Sequence, residues 1–391
     1  MEPVYISLLV DGALAQAVKI VFLNDLVYDY ATGASSATGG AERQQWLLAR
    51  ALAAMGWRVT VGVRSGLLEE RRVVIDGVAF VGIGQRQILW AWYRFLTLER
   101  PEWWYWRCAS HLLGPAAAIA KLAGVRMIFA AAFDRDLQPR RALYRRCRMW
   151  PLYLWGLSWT DKILVQHEEQ FLQLSSRWRW KASVVPSMTT EQMSTTPHGE
   201  RAPYVAWVAM LRGFKRPDLL VEIARKAPSI RFVVCGGTTT FMSSPGYGER
   251  VIDALQALPN VEYRGQVPPD EARQVIAEAA LFISTADEEG FPNTFLDAWA
   301  AGTPVISIGI DPGHVIERQG LGVIAPDIES AVLAIHKLMD SPHQREEIAI
   351  RERHYIAEHH SQIAGARAFT NAVATVRPRI FRYPPSLSER I

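Results

Sequence analysis

The first half of the chain alternates short apolar runs with longer segments in which apolar residues recur about every 3.6 positions. KIVFLND (19–25) and WRVTVGV (57–63) have the length and β-branched content of buried strands. Between them, residues 41–56 carry the apolar stripe of an amphipathic helix, which Gly56 is suited to end. Strands and helices that alternate in this way predict βαβ units and a parallel sheet.

The same alternation restarts after a polar interruption. Residues 186–203 (PSMTTEQMSTTPHGERAP) are polar, proline-bearing and aperiodic, which is typical of an interdomain linker. After them, the predicted strands are YVAWVAM, RFVVCGG, NVEYRG, LFIST and TPVISI. We therefore predict an α/β chain of two Rossmann-like, doubly wound domains, 1–185 and 204–350. Residues 351–391 are expected to form a helix and tail that pack back toward the first domain.

Composition agrees with two folded domains. The chain has 391 residues, of which 49% are hydrophobic and 21% charged, and this excludes a disordered protein. The net charge of +4 is uneven, because residues 1–200 carry 23 Lys and Arg against 17 Asp and Glu, whereas 201–391 carry 20 against 22. An anionic partner is therefore expected to meet the first half.

Cysteine usage and hydropathy predict a cytoplasmic protein. The three cysteines are odd in number and lack CxxC spacing, which disfavours a disulfide framework or a zinc ribbon. Residues 1–23 have no basic start and contain an aspartate, unlike a signal peptide or spanning helix. The apolar stretch 88–106 is interrupted by charged residues. We expect a cytoplasmic protein, soluble or peripheral to the inner face of the cell membrane.

Candidate chemistry follows the predicted strands, where open α/β sheets place their ligands. Gly39 and Gly40 stand at a loop-to-helix boundary, where backbone N–H groups can approach an anion closely. The pattern is not GxGxxG, and no acidic residue follows the second strand in the ribose-binding manner, which disfavours a dinucleotide dehydrogenase. The alternative is a turn that needs glycines only for its shape.

A second candidate site is the basic segment 211–218. Arg212, Lys215 and Arg216 precede a helix that Pro217 can open. Cations at a helix start can clamp a diphosphate, since lysine supplies a point charge and arginine a planar fork. A solvated basic run is the alternative interpretation.

The segment 281–307 is the most specific in the chain. A buried strand ends in an acidic turn, and Pro292 then starts a helix that Gly302 ends. The N–H groups near Asn293 and Thr294 can hold a phosphate. Glu289 is expected to project beside that helix start toward a polyol, and Asp297 lies one turn further on.

These residues carry a resemblance to a known family. GGAERQQWLLARAL, RGFKRPDLLVEIA, FVVCGG, NVEYRGQVPPDEARQVIAEAALFIS and TADEEGFPNTFLDAWAAGTPVIS resemble segments of retaining glycosyltransferases of family 4, which have the GT-B fold. The likeness is close over 201–330 and looser over 19–185. It implies two Rossmann-like domains facing a cleft. It also implies a UDP- or GDP-sugar donor and transfer of a hexosyl-type sugar that needs no metal or other cofactor.

The resemblance also implies roles for individual residues. The family's Glu-x7-Glu signature falls on Glu289, beside the donor sugar hydroxyls, and on position 297, at the nucleotide ribose. Lys215 matches the lysine that stabilises the leaving diphosphate, so Glu289 and Lys215 are the catalytic candidates. The remaining donor-binding candidates are Gly39, Gly40, Arg212, Gly236, Gly237, Gly290, Phe291, Pro292, Asn293, Thr294 and Asp297.

The chain departs from the family pattern at three places. Position 297 is Asp rather than Glu, and Met210 stands where an arginine precedes the lysine, which leaves Arg212 as a substitute. The acceptor-side histidine is missing from IFAAAFDRD, so Phe133 or Asp134 is expected on that wall. Arg107, after the strand WWYW, is predicted to contact acceptor or phosphate, with a structural ion pair as the alternative.

Asp134-Arg135-Asp136 spells DxD, a metal-binding motif of other glycosyltransferases, but such triplets arise readily by chance and we predict no metal site. Residues 139–159 combine five arginines with interfacial aromatics, which favours peripheral contact with an anionic membrane or a helix packing its aromatics inward. No motif accompanies the charge that would indicate nucleic acid.

The function predicted from these features is transfer of a sugar from a nucleoside-diphosphate sugar to a glycan or lipid-linked acceptor, in surface polysaccharide biosynthesis. Two alternatives remain. One is a GT-B epimerase or phosphorylase, and the other is a non-catalytic sugar-nucleotide binding protein.

Overall fold

A computed structural model describes residues 17–33, 39–143, 147–190, 196–239 and 243–376. They form two sheets, each flanked by helices on both faces, which confirms the prediction of two Rossmann-like, doubly wound domains. Residues 1–16, 34–38, 144–146, 191–195, 240–242 and 377–391 lie outside the described residues, and two arginines of the basic segment 139–159, at 145 and 146, are among them.

The first sheet has eight strands in the order β3-β4-β2-β1-β5-β6-β7-β8. Its strands are β1 (Lys19–Leu23), β2 (Arg58–Val63), β3 (Arg72–Ile75), β4 (Val78–Gly82), β5 (Trp103–Arg107), β6 (Arg126–Ala130), β7 (Lys162–Val165) and β8 (Ala182–Val184). All neighbours pair in parallel except β3 and β4. Those two form a hairpin because Asp76 and Gly77 both adopt positive φ, at 47° and 78°.

The second sheet is wholly parallel, with six strands in the order β11-β10-β9-β12-β13-β14. These strands are β9 (Ala202–Val208), β10 (Arg231–Cys235), β11 (Val261–Gly265), β12 (Ala279–Ser284), β13 (Val305–Ile308) and β14 (Gly322–Ala325). Central strands such as β12 are buried on both faces, which explains their continuous apolar runs.

The helices connect successive strands. In chain order they are α1 (Asp25–Ala31), α2 (Gly40–Ala54), α3 (Ile88–Glu99), α4 (Leu113–Leu122), α5 (Pro139–Ala142), α6 (Trp150–Trp159), α7 (Glu168–Gln173), α8 (Ser176–Arg179), α9 (Pro217–Lys226), α10 (Tyr247–Gln256), α11 (Pro269–Glu278), α12 (Asn293–Ala301), α13 (Val315–Gln319), α14 (Ile328–Met339), α15 (Pro342–Tyr355) and α16 (Gln362–Ala374). Short 3₁₀ turns cover Asp134–Leu137, Cys147–Met149, Gly213–Lys215 and Pro312–His314, and a π-helical turn covers Ile356–His360. None of the described helices combines the length and hydropathy of a membrane-spanning segment.

Many of the tryptophans in the first domain are structural. Trp104 of β5 is fully buried and packs edge-on against Trp92 and Trp106, while Trp103 and Trp46 fill the core on the other face of the sheet. Aromatic side chains of this size bury a large apolar area. The tryptophan content therefore reflects the packing of this domain as well as its surface.

The chain crosses between the domains twice, and the crossings differ from the predicted boundaries. In the linker predicted over 186–203, Ser187, Met188 and Arg201 are buried, and β9 already begins at Ala202. The predicted boundary at 350 cuts through α15, which continues to Tyr355 because its inner face packs on α12. The chain then returns, and α16 packs on α2 of the first domain.

Candidate active site between the two domains

A cavity of about 760 Å³ lies between the carboxyl ends of the two sheets. This is the edge at which open α/β sheets place ligands. The first domain contributes the start of α2, the end of β5 and the loop after β6. The second domain contributes the loops after β9 and β10, and the start of α12.

The start of α12 lies in the wall of the cavity. Pro292 caps the helix in an extended conformation and Gly302 ends it with φ of 65°, as the sequence predicts. Pro292, Asn293 and Thr294 line the cavity. The first backbone N–H groups of a helix have no partner within it, and the helix dipole favours negative charge there.

Lys215 and Glu289 form an ion pair in the cavity wall. Two hydrogen bonds join the loops that carry them. The hydroxyl of Thr285 donates to the Lys215 carbonyl at 2.8 Å, and the amide of Asp287 donates to the Phe214 carbonyl at 2.9 Å. Burial, together with the nearby charge of Arg212, lowers the pKa of Lys215 to about 7. The Glu289 carboxylate is the negative group that contacts this amine.

Arg212 and Met210 both line the cavity, one on each side of Leu211. Burial lowers the pKa of the Arg212 guanidinium, and the carboxylate of Glu42 opposes this. An arginine never loses its charge at physiological pH, so the prediction that Arg212 supplies a second cation beside Lys215 agrees with its position.

Asp297 lines the cavity but is already bound. Arg43 donates from Nη1 and Nη2 to its two carboxylate oxygens, at 2.7 and 2.6 Å, and Thr189 donates from its hydroxyl at 3.3 Å. Both oxygens accept hydrogen bonds from residues outside the second domain, and the ribose contact of Asp297 stays a prediction. Arg43 was not predicted. The available signal was its place in the first turn of the helix that follows Gly39 and Gly40.

Four of the five predicted glycines line the cavity, namely Gly39, Gly40, Gly236 and Gly237. A side chain on Gly40 would collide with the amide of Asn293, so this glycine lets the two helix starts meet. The prediction that Gly290 binds the donor needs correction, because Gly290 does not line the cavity. It forms a β-bridge with Phe133, and a Cβ there would overlap the Ala132 carbonyl of the first domain.

Phe291 lines the cavity, as predicted for a donor-binding residue, but most of its side chain is buried among aromatic groups. Its ring lies 4.8 Å from the imidazole of His360 and 6.1 Å from the indole of Trp299, measured between ring centroids. It therefore supports the wall between the start of α12 and the second chain crossing.

The first-domain wall contains Arg107, Cys108, Phe133 and Asp136. The prediction for Asp134 is wrong, because its carboxylate accepts a hydrogen bond from Gln170 at 2.8 Å and does not line the cavity.

Asp136, two residues further along the same 3₁₀ turn, lines the cavity instead. It accepts hydrogen bonds from the amides of Ala132 and Phe133 at 2.8 and 3.1 Å. Burial raises the pKa of Asp136 to about 6. The two carboxylates of the DxD triplet thus bind separate partners.

One surface cluster has the spacing of metal ligands within the part of the chain that the structure describes. Asp311, His314 and Glu317 place their ligand atoms within 4.8 Å of one another. Asp311 already accepts from the amides of Ile316 and Glu317, and the cluster lies away from the cavity.

Comparison with known proteins finds a family model that matches the second domain. Residues 202–341 match the family model described as Glycosyl transferases group 1. D-inositol 3-phosphate glycosyltransferase from Corynebacterium aurimucosum is 28% identical over 175 residues, 42% of this chain and 41% of that protein. The enzyme of the same name from Mycolicibacterium paratuberculosis is 30% identical over 146 residues, 35% of this chain and 32% of that protein. The alignments span about two fifths and one third of these relatives.

Solved structures extend the likeness to nearly the whole chain. Sucrose-phosphate synthase from Thermosynechococcus elongatus has a TM-score of 0.72 at 14% identity, covering 91% of this chain and 98% of that one. HepE from Anabaena, in complex with UDP and glucose, has a TM-score of 0.73 at 13% identity, covering 92% and 100%. The second domain thus matches Glycosyl transferases group 1, and the chain as a whole has the GT-B glycosyltransferase fold.

Proposed function

We propose that this protein transfers a sugar from a nucleoside-diphosphate sugar to a hydroxyl group of an acceptor, with retention at the anomeric carbon. The observation that carries the proposal is the ion pair of Lys215 and Glu289 beside the start of α12, inside the interdomain cavity. The Lys215 amine and the helix N–H groups can bind a diphosphate. The Glu289 carboxylate can accept hydrogen bonds from sugar hydroxyls.

The donor is assigned to the second domain. Its diphosphate lies between Lys215, Arg212 and the helix start at Asn293 and Thr294, where charge-assisted hydrogen bonds are available. The half of the chain from 201 onward carries more acids than bases, so these local groups, and not the net charge, attract the nucleotide. UDP is the first nucleotide to test, because HepE is described in complex with UDP-glucose.

Charge development explains the use of these groups. When the anomeric C–O bond breaks, the sugar becomes positive and the nucleoside diphosphate gains negative charge. Cations and backbone donors aimed at the phosphates therefore lower the barrier. The acceptor oxygen attacks from the same face, and the leaving phosphate oxygen takes its proton. Glu289 orients the sugar hydroxyls, and catalysis requires no metal ion.

The acceptor enters from the first-domain wall, which carries Arg107, Phe133 and Asp136. Asp136 can accept a hydrogen bond from an acceptor hydroxyl when its carboxyl is ionised. The acceptor class is a glycan or lipid-linked glycan of the cell surface, and the transferred sugar is a hexose. The curated relatives act, by name, on a phosphorylated polyol, inositol 3-phosphate.

Peripheral membrane contact through 139–159 is part of the proposal. Arg140, Arg141 and Arg148 are exposed, and the guanidinium of Arg140 lies 5.3 Å from the centroid of the half-buried Trp150. The other aromatic face of α6 turns inward, since Tyr153 is fully buried. Sedimentation with anionic liposomes at low salt tests this contact. Binding equal in wild type and Arg140→Gln/Arg148→Gln would contradict it.

The function is tested by incubating the protein with UDP-sugars and an acceptor panel, and by following the sugar product and its anomeric configuration. We expect Lys215→Ala and Glu289→Gln each to lower transfer by about 10²- to 10³-fold. The matched controls are Lys226→Ala and Glu222→Gln, which lie on α9 outside the cavity and should retain wild-type transfer. EDTA should not change the rate.

Three outcomes would overturn the proposal. Wild-type rates in both Lys215→Ala and Glu289→Gln would show that the site is elsewhere. Conversion of the sugar nucleotide without an acceptor, or release of a sugar phosphate, would favour an epimerase or phosphorylase. Binding of UDP-sugars with no turnover across the acceptor panel would indicate a binding protein.

A further inference from the structure

Arg107 occupies a central position in the first-domain wall. It is the last residue of β5, which lies between β1 and β6 in the middle of the first sheet. Because the sheet is parallel here, its carboxyl edge faces the cavity, and Arg107 is among the residues that line it. The neighbouring Cys108 has a positive φ of 70°, which turns the chain away directly after the arginine.

The hydrogen-bond partners of Arg107 are all neutral. Its Nη1 donates to the Tyr105 hydroxyl at 3.3 Å. Its Nη2 donates to the side-chain oxygen of Gln166 at 3.2 Å, in the amide orientation that also accepts from the Ser187 hydroxyl and donates to the Ala132 carbonyl. Its Nε is buried without a hydrogen-bond partner among the described residues. Burial raises the pKa of Tyr105, so that hydroxyl stays neutral.

No carboxylate of the described residues forms a salt bridge with Arg107. Asp136 attracts it only at longer range. Four other cations that line the cavity contrast with it because each contacts a carboxylate: Arg43 with Asp297, Arg135 with Glu288, Lys215 with Glu289, and Arg273 with Asp270.

A partly buried guanidinium without a contacting anion is costly, because desolvation is not compensated by a close opposite charge. A bound oxyanion would supply that charge. Tyr105 and Gln166 hold two of the five N–H groups and so fix the plane of the fork in advance. A fork held in this way is suited to phosphate or carboxylate oxygens.

The oxyanion that fits is carried by the acceptor. The donor diphosphate is assigned to Lys215 and the start of α12 in the other domain, whereas Arg107 lies on the acceptor wall beside Asp136. We infer that Arg107 binds a phosphomonoester or carboxylate of the acceptor, close to the hydroxyl group that receives the sugar. This inference rests on the proposed function, since it names the acceptor class of the same site.

The test compares matched acceptor analogues by binding, which needs no turnover. Thermal shift and calorimetry are recorded with inositol 3-phosphate against inositol, and with glucuronate against glucose, in the presence and absence of UDP. We expect the charged member of one pair to bind wild type about 10- to 100-fold more tightly than its neutral partner, as for hydrogen bonds to an ionised group. The pair that responds distinguishes phosphate from carboxylate.

Substitution then assigns this preference to the side chain. Arg107→Gln should abolish the preference for the charged analogue while UDP affinity stays within about twofold of wild type. Arg107→Lys should keep part of the preference, because it retains the charge and loses the fork. Arg58→Gln, an exposed arginine of the same domain outside the cavity, is the matched control and should behave as wild type.

Three results would overturn the inference. The first is equal binding of charged and neutral analogues by wild type. The second is an unchanged preference for the charged analogue in Arg107→Gln. The third is a loss of UDP affinity in Arg107→Gln as large as in Lys215→Ala, which would place Arg107 at the donor. The absence of sugar transfer would contradict the proposed function alone, because the binding measurements do not require turnover.

Discussion

Arg43 of the first domain and Asp297 of the second form a bidentate ion pair across the cavity, with nitrogen–oxygen distances of 2.6 and 2.7 Å. Both side chains are only 9% exposed. In the same contact, Gln44 donates to the side-chain oxygen of Asn293 at 2.6 Å. The first turn of α2 is therefore joined to the first turns of α12 by two side-chain contacts.

The pair predicts energetic coupling between the domains. Arg43→Gln or Asp297→Asn alone leaves one buried charge without its partner, which should lower the melting temperature by several degrees. The double variant Arg43→Gln/Asp297→Asn removes both charges and should recover much of that loss. A double-mutant cycle in urea should give a coupling free energy of about 1–3 kcal/mol. Additive effects would show that the pair is not formed in solution.

Lys215 predicts a pH dependence of donor binding. With a pKa of about 7, the amine is charged below neutral pH and loses its proton above it. A bound diphosphate favours the charged form, so binding requires proton uptake above pH 7. We expect the affinity for UDP-glucose, measured by calorimetry, to fall as pH rises from 7 to 8.5, by up to about tenfold per unit. Lys215→Ala should bind weakly and without this dependence; an equal slope in the variant would assign it to another group.

Gly290 predicts a steric effect at the domain contact. Gly290→Ala would place a methyl group against the Ala132 carbonyl. This carbonyl belongs to the backbone, so it cannot rotate away from the methyl group as a flexible side chain could. We expect a loss of about 1–3 kcal/mol in the free energy of unfolding. The control is Gly199→Ala, because a Cβ at Gly199 meets nothing within 4 Å and its φ is not positive. Equal stability of the two variants would contradict the close contact.

His360 predicts acid sensitivity. Burial lowers the pKa of its imidazole to about 4. In the unfolded chain the imidazole of His360 takes up a proton near pH 6.5, whereas in the folded protein it stays neutral down to about pH 4. The contribution of His360 to the free energy of unfolding is therefore fully present above pH 6.5 and is lost as pH falls toward 4. This group contributes up to about 3 kcal/mol to that loss. His360→Gln should show a shallower decline of melting temperature over this interval. His343→Gln, at a side chain 85% exposed, is the control.

The fold could be predicted from the sequence because strand ends, glycines and helix starts are local signals. Pro292 and Gly302 mark the limits of α12 in the sequence and in the structure alike. Which carboxylate reaches the cavity was not predictable, because Asp134 and Asp136 differ only in the direction that a 3₁₀ turn gives them. The partner of Asp297 was not predictable either. Arg43 lies 254 residues from Asp297 in the sequence and contacts it only when the two domains pack together.

The return of the chain to the first domain has a consequence for biosynthesis. Phe369 of α16 lies in the core of the first domain, 5.9 Å from the ring of Trp57 and 6.2 Å from that of Tyr105. The first domain is thus discontinuous in sequence, and the second is an insertion into it. On the ribosome, which delivers the chain from its N-terminus, the aromatic surface around Trp57 stays uncovered until residues 362–374 emerge. The domain that is synthesised first is therefore the one completed last.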